Sequence, residues 1–174
     1  MKKNKSKKNT RREFLKYGSI AATGFFILPR HVLGGNGYQS PSDTINIGGI
    51  GVGGKGTSDI WNASIEGKEN VIALCDVDKG DISAKSRERF PNANFYQDYR
   101  EMLDKEKDLD AVTISTPDHM HAIQALASMD RGIHVYVQKP LTHNIREARM
   151  LTEIAREKKI VTQMGNQGAS NSGM

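Results

Sequence analysis

Six short, largely apolar segments recur along this chain, and helix-patterned stretches separate them. The strand candidates are residues 45–50, 71–75, 94–96, 111–115, 134–137 and 160–164. Residues 71–75 (VIALC) form an uninterrupted apolar run, as a strand covered on both faces requires. Between the strands lie helix candidates at 55–65 and 81–90, the second ended by Pro91. Asp98 with Glu101, and Asn144 with Glu147, have the spacing of capping pairs that open two further helices. Asp118 is placed to cap another, on which Ala122, Ile123, Leu126 and Met129 recur at helical spacing until Gly132 closes it. Parallel strands need crossovers of about a dozen residues or more, and helical crossovers cover both faces of the sheet. Right-handed crossovers then leave an α/β fold with a doubly wound parallel sheet, the Rossmann arrangement, as the expected topology. Ligands bind such sheets at the carboxyl ends of the strands.

Charge narrows the partners. The 174 residues carry a net charge of +5, but residues 1–30 hold nine Lys or Arg and one acid. The remainder has 16 basic and 19 acidic residues, so the folded part is mildly acidic and no nucleic-acid partner is expected. A single cysteine, Cys75, excludes a disulfide within the chain and any multi-cysteine zinc site. His119 and His121, two apart at a helix start, do not project together as metal ligands, and no metal site is expected.

The N-terminus reads as an export signal. Residues 1–12 are polar and Lys-rich, and residues 18–28 (GSIAATGFFIL) are an apolar run too short to span a bilayer. Between them, Thr10 to Lys16 (TRREFLK) resembles the twin-arginine motif of bacterial Tat signals. Tat export machinery is the expected partner, with a periplasmic or otherwise exported product, anchored in the membrane if the signal stays uncleaved. The expected organisation is a signal segment at 1–34, a Gly, Ser and Pro-rich linker at 35–43, and the Rossmann-type domain at 44–168. Residues 169–174 would begin a second domain.

Four strand ends carry suggestive chemistry. Gly51-Val52-Gly53-Gly54-Lys55-Gly56 matches G-x-G-x-x-G directly after the first strand. Gly51 suits the tight turn, Gly53 lets backbone approach a pyrophosphate, and Gly56 lets helix and sheet pack closely. The register Gly49, Gly51, Gly54 also fits, but the first register keeps Ile50 in the strand. Asp76 is the first polar residue after the second strand, 20 positions beyond Gly56, where an acid accepts the adenosine ribose hydroxyls. An acid there repels a 2′-phosphate, so NAD is favoured over NADP, and Lys79 nearby weakens that choice. Ser115-Thr116-Pro117-Asp118-His119-Met120-His121 follows the fourth strand, with Pro117 stiffening a turn placed to wall a cofactor pocket. Gln138-Lys139-Pro140 follows the fifth and puts a lysine where it can reach the cleft.

Together the Gly loop, CDVD, STPDHMHA, the KP dipeptide and GNQG, in this order, resemble the Gfo/Idh/MocA oxidoreductase family over residues 45–168. The resemblance implies an NAD(P)-dependent oxidoreductase that passes a hydride between nicotinamide and a sugar, polyol or related carbohydrate. It implies pyrophosphate contacts from Gly51, Gly53, Gly54 and Gly56, and ribose contacts from Asp76. Ser115, Thr116, Pro117 and His121 would line the cofactor pocket. Lys139, followed by Pro140, would be the catalytic-site lysine beside nicotinamide and the substrate hydroxyl. Gln138 stands where the family usually has the Glu of E-K-P. A second α/β substrate domain, bearing a D-x-x-x-H motif whose His accepts the proton, is missing from this sequence, so the chain reads as C-terminally truncated and inactive alone. A homo-oligomer is implied for the full-length protein. Two other readings are a non-catalytic dinucleotide-binding fragment, and a sugar-modifying or glycoside-cleaving enzyme in which oxidation is transient.

Overall fold

The computed structural model describes Ser40 and residues 43–170. The export signal expected at 1–34, most of the linker and the last four residues lie outside the described residues. Among the described residues, no helix is long and apolar enough to cross a membrane.

Strands and helices alternate as β1 (Asn46–Ile50), α1 (Lys55–Ala63), β2 (Asn70–Cys75), α2 (Asp81–Arg89), β3 (Asn94–Tyr96) and α3 (Tyr99–Lys105). They continue as β4 (Ala111–Ile114), a 3₁₀ turn (Asp118–Met120), α4 (His121–Asp130), β5 (His134–Val137), α5 (Ile145–Lys158), β6 (Thr162–Met164) and a short α6 (Gln167–Ser170). The six strands form one sheet in the order β3-β2-β1-β4-β5-β6. Every pairing is parallel. This is the doubly wound order, with the chain reversing direction across the sheet between β1 and β4.

Register does the positioning. Ile50 pairs with Cys75 on one side and Ile114 on the other. Cys75 pairs with Tyr96, Ile114 with Val137, and Val137 with Met164. The strands therefore end in one row. The ladder extends one residue further, with the N–H groups of Gly51, Asp76, Ser115, Gln138 and Gly165 donating to the carbonyls of Cys75, Tyr96, Ile50, Ile114 and Val137. Motifs scattered over more than a hundred residues thus become neighbours, about 4.8 Å apart per strand.

Two apolar layers hold the sheet. One joins Ile50, Ala73, Val112, Ile114 and Val137 to Met102 and Leu103 of α3, Ala125 and Met129 of α4, and Leu151 of α5. The other is smaller, with Ile47, Val52, Ile60 and Leu74. Each Val, Leu, Ile or Met among them contributes roughly 1.5–3 kcal/mol on full burial. Helix α2 has little apolar surface of its own. It docks through small hydroxyls instead: Ser83 and Ser86 are buried, and Ser86 donates to the Val52 carbonyl at 2.6 Å.

Helix starts differ in part from the sequence expectations. Asn144 and Glu147 do form a reciprocal box: Asn144 Oδ1 accepts the Glu147 N–H, and Glu147 Oε2 accepts the His143 N–H. A cap of this kind stabilises by about 1 kcal/mol. Asp98 caps α3 by accepting the Arg100 N–H, but Glu101 reaches forward to Lys105 rather than back to the cap. Asp118 does not cap α4. A 3₁₀ turn intervenes, and the residue before α4 is Met120, which makes no side-chain cap. Pro117 sets the turn at φ −57°, and the chain needs one tight turn before it can enter the helix. The stretch after β6 also carries helix α6, where the sequence suggested none.

Candidate functional site

The Gly loop is built for close approach. Gly51 has φ +77°, a conformation glycine adopts without steric cost, and its added Cβ would lie 2.8 Å from the Ser115 backbone. A Cβ on Gly56 would lie 1.7 Å from the Gly51 carbonyl oxygen, so helix α1 is pressed against the turn it leaves. Gly49 instead sits inside β1, which selects the register Gly51, Gly53, Gly56. Two hydroxyls anchor the loop from behind, as Thr57 and Ser86 both donate to the Val52 carbonyl. Gly54 precedes α1 with no side-chain cap, is exposed, and its Cβ would meet nothing within 4 Å. The positive end of α1 is therefore open, as an anion site requires.

Beside it, Asp76 emerges from β2. Its Oδ2 accepts the Gly53 N–H at 3.0 Å, and its Oδ1 accepts the Asp78 N–H at 3.0 Å. The nearby Asp78 is used up locally: it accepts the N–H groups of Gly80 and Ile82 and shapes the start of α2. Of the two acids in CDVD, only Asp76 faces the cleft. Lys79 is exposed and does not line it.

That cleft has a volume of about 610 Å³, and its walls include Gly51, Gly53, Gly54, Asp76, Ser115, Thr116 and Pro117. Its size suits a large ligand. Three further wall residues, Asp98, Tyr99 and Arg100, come from the start of α3. Read from sequence, Asp98 has only a capping role, because nothing local shows that β3 ends in the same row as β1. Cys75 also touches the cleft, but burial, aided by the Asp76 charge, pushes its thiol up to about 12. It is therefore no nucleophile near neutral pH.

His121 and Lys139 border a second cleft of about 350 Å³, on the β5 side of Ser115 and Thr116, which line both. Lys139 lies here, exposed, together with Lys55, Asp118 and Gln138. His121 borders this cleft rather than the first and is 1% exposed. Its Nδ1 lies 2.6 Å from the Pro140 carbonyl oxygen and its Nε2 2.8 Å from that of Thr116. His121 thus ties the turn after β4 to the turn after β5. Pro140 follows a cis peptide bond, and both it and Gly56 stand outside the two cleft linings. Thr116 donates to Gln124 at 2.6 Å, which fixes its side chain.

One buried charge is not evident from the sequence. Asp59 on α1 is 5% exposed and forms an ion pair with Lys55 at 2.6 Å. The spacing i, i+4 reads as a solvated surface pair. The available signal was its position on the inward stripe of Gly56 and Ile60. No cluster of metal-ligating side chains occurs among the described residues.

Fold, Gly loop, strand-end acid and open helix terminus define a dinucleotide-binding Rossmann domain. The family described as "Oxidoreductase family, NAD-binding Rossmann fold", Gfo/Idh/MocA, matches residues 45–166, and the chain belongs to it. A glycosyl hydrolase family 109 protein of Solibacter usitatus is 33% identical over 153 residues, covering 80% of this chain and 35% of that protein. A levoglucosan dehydrogenase of Pseudarthrobacter phenanthrenivorans is 29% identical over 127 residues, 67% of this chain and 32% of that one. Among solved structures, myo-inositol 2-dehydrogenase from Lactobacillus plantarum superposes with a TM-score of 0.65 at 20% identity, over 74% of this chain and 38% of that one, a likeness of fold. The chain spans about a third of the length of the relatives it matches.

Proposed function

We propose that this chain is the NAD-holding part of an exported oxidoreductase that acts on a sugar, polyol or related carbohydrate. The observation that carries the reading is the pair of clefts flanking Ser115 and Thr116, one with Asp76 and the open α1 terminus, the other with Lys139. Residues 44–168 would be the cofactor domain, with a substrate domain following from 169. The geometry fits a dinucleotide: a glycine-rich loop, an open helix N-terminus for the pyrophosphate, and a carboxylate at the neighbouring strand end for the ribose. When bound, the nicotinamide supplies the hydride acceptor or donor. Lys139 then holds the carbinol oxygen of the substrate and stabilises its charge, and the hydroxyl proton passes to a base contributed by the second domain. NADP is the alternative cofactor, opposed by the Asp76 charge.

Asp76→Ala should weaken NAD by about 1.5–3 kcal/mol, the loss expected for a charged hydrogen bond. Because Asp76 also holds the Gly53 N–H, a loosened loop would weaken both cofactors equally. Calorimetry should instead show NADP losing less than NAD or gaining. Equal losses would remove Asp76 as the ribose acid.

The export part of the reading rests on Arg11 and Arg12 and the apolar run that follows. Changing both to Lys should leave the protein in the cytoplasm with NAD binding intact. Equal periplasmic recovery of the double variant would refute Tat export. A second reading is favoured by the relative named a glycosyl hydrolase: oxidation would be transient, the hydride would return to the sugar, and the net product would be a cleaved glycoside. Product analysis separates the two, since only the first leaves oxidised sugar and reduced nicotinamide.

A further inference from the structure

The buried acid on α1 stands beside the strand end that carries Lys139. Asp59 Oδ1 takes the Lys55 ammonium at 2.6 Å. Its Oδ2 accepts from Ser115 Oγ at 2.7 Å and from Gln138 Nε2 at 2.9 Å. Gln138 is 5% exposed, and its Oε1 accepts the Lys139 N–H at 3.2 Å. The amide donates at one end and accepts at the other, so hydrogen bonds run from α1 to the Lys139 backbone. Gly165 makes the room, since a Cβ there would lie 2.6 Å from Tyr136 Oη and 3.0 Å from Gln138 Nε2. The Tyr136 phenol is shifted upward by burial first and by the Asp59 charge second.

We propose that Asp59 is a positioning residue for Lys139, acting through the Gln138 side chain, and that it makes an amide obligatory at position 138. The proposal rests on the reading of Lys139 as the lysine beside nicotinamide. A carboxylate at 138 accepts from the Lys139 N–H but has nothing to donate to Asp59. It also adds a second buried negative charge. The charged and titratable groups around position 138 are Asp59 and Lys55 on α1, Tyr136 on β5, adjacent Lys139, and His121 and Asp118 across the second cleft. Two carboxylates would then compete for one Lys55 ammonium. A Glu at 138 would hold its proton to higher pH, and the protonated acid would donate to Asp59 as the amide does.

The penalty therefore depends on pH. A Glu whose folded pKa is raised costs nothing below its ordinary value of about 4.3, costs more as pH rises, and levels off above the raised value. The test compares Gln138→Glu, Asp59→Asn and the double variant of this chain by thermal unfolding and by hydrogen exchange at the Lys139 amide, at pH 5 and pH 8. At pH 8, Gln138→Glu should lower Tm by roughly 10 °C. Protection of the Lys139 amide should fall about tenfold. Both deficits should shrink at pH 5. The double variant should recover most of the loss at pH 8, because the amide introduced by Asp59→Asn donates to the carboxylate at 138. A loss independent of pH, or a double variant no better than Gln138→Glu, overturns the proposal. Neither readout uses turnover, so a Lys139→Ala enzyme that stays active refutes the role of Lys139 alone and leaves the coupling of 59 to 138 to be judged by exchange.

Discussion

On the function proposed above, Lys139→Ala should cut kcat/KM by roughly 10²–10⁴-fold, the range for losing one positioned catalytic group. NAD affinity should hardly change. Lys139 is exposed in the second cleft, whereas the Gly loop and Asp76 line the first. The lysine's charge matters most when the substrate oxygen gains negative character, so the loss should fall on turnover. Steady-state kinetics with calorimetry separates the two effects. An unchanged kcat/KM would remove the catalytic assignment, and a parallel collapse of NAD affinity would place Lys139 in dinucleotide binding instead.

Gly56→Ala should damage both fold and cofactor site. The new Cβ would sit 1.7 Å from the Gly51 carbonyl oxygen and 2.8 Å from its carbon, which are backbone atoms and cannot swing aside. Either α1 moves off the sheet or the Gly51 turn opens. Overpacking of this kind costs about 3 kcal/mol, a fall in Tm of roughly 10 °C for a domain of this size. NAD affinity should drop about a hundredfold, because the helix terminus and the loop no longer face the same point. Gly168→Ala is the control: its Cβ would meet nothing within 4 Å, and Tm should stay within about 2 °C. Thermal unfolding and NAD titration of both variants check the contrast. A stable Gly56→Ala protein with full NAD affinity would mean that the tight contact between α1 and the loop is dispensable.

The sheet and its ligand edge are legible in the amino-acid order. Alternating strand and helix patterns, with the glycines fixed by turn and packing needs, leave the doubly wound order as the expectation, and the sheet has that order. The Gly loop and Asp76 are legible because each owes its place at the first cleft to the one strand it follows. So is the box of Asn144 and Glu147, whose partners are three residues apart. What depends on register across the sheet is not legible. His121 reads as a pocket residue and does border the second cleft, but its ties to the Pro140 and Thr116 carbonyls are set by the tertiary structure. One local signal also misleads: Asp118 reads as a helix cap, yet the geometry after Pro117 inserts a 3₁₀ turn. Gln138 reads as a bare departure from the usual Glu until β4 and β5 come into register and α1 brings Asp59 against it. Helix and turn signals are local and survive in the sequence; partners 79 positions apart meet only when the strands align and helix packing fixes which side chains share the buried space.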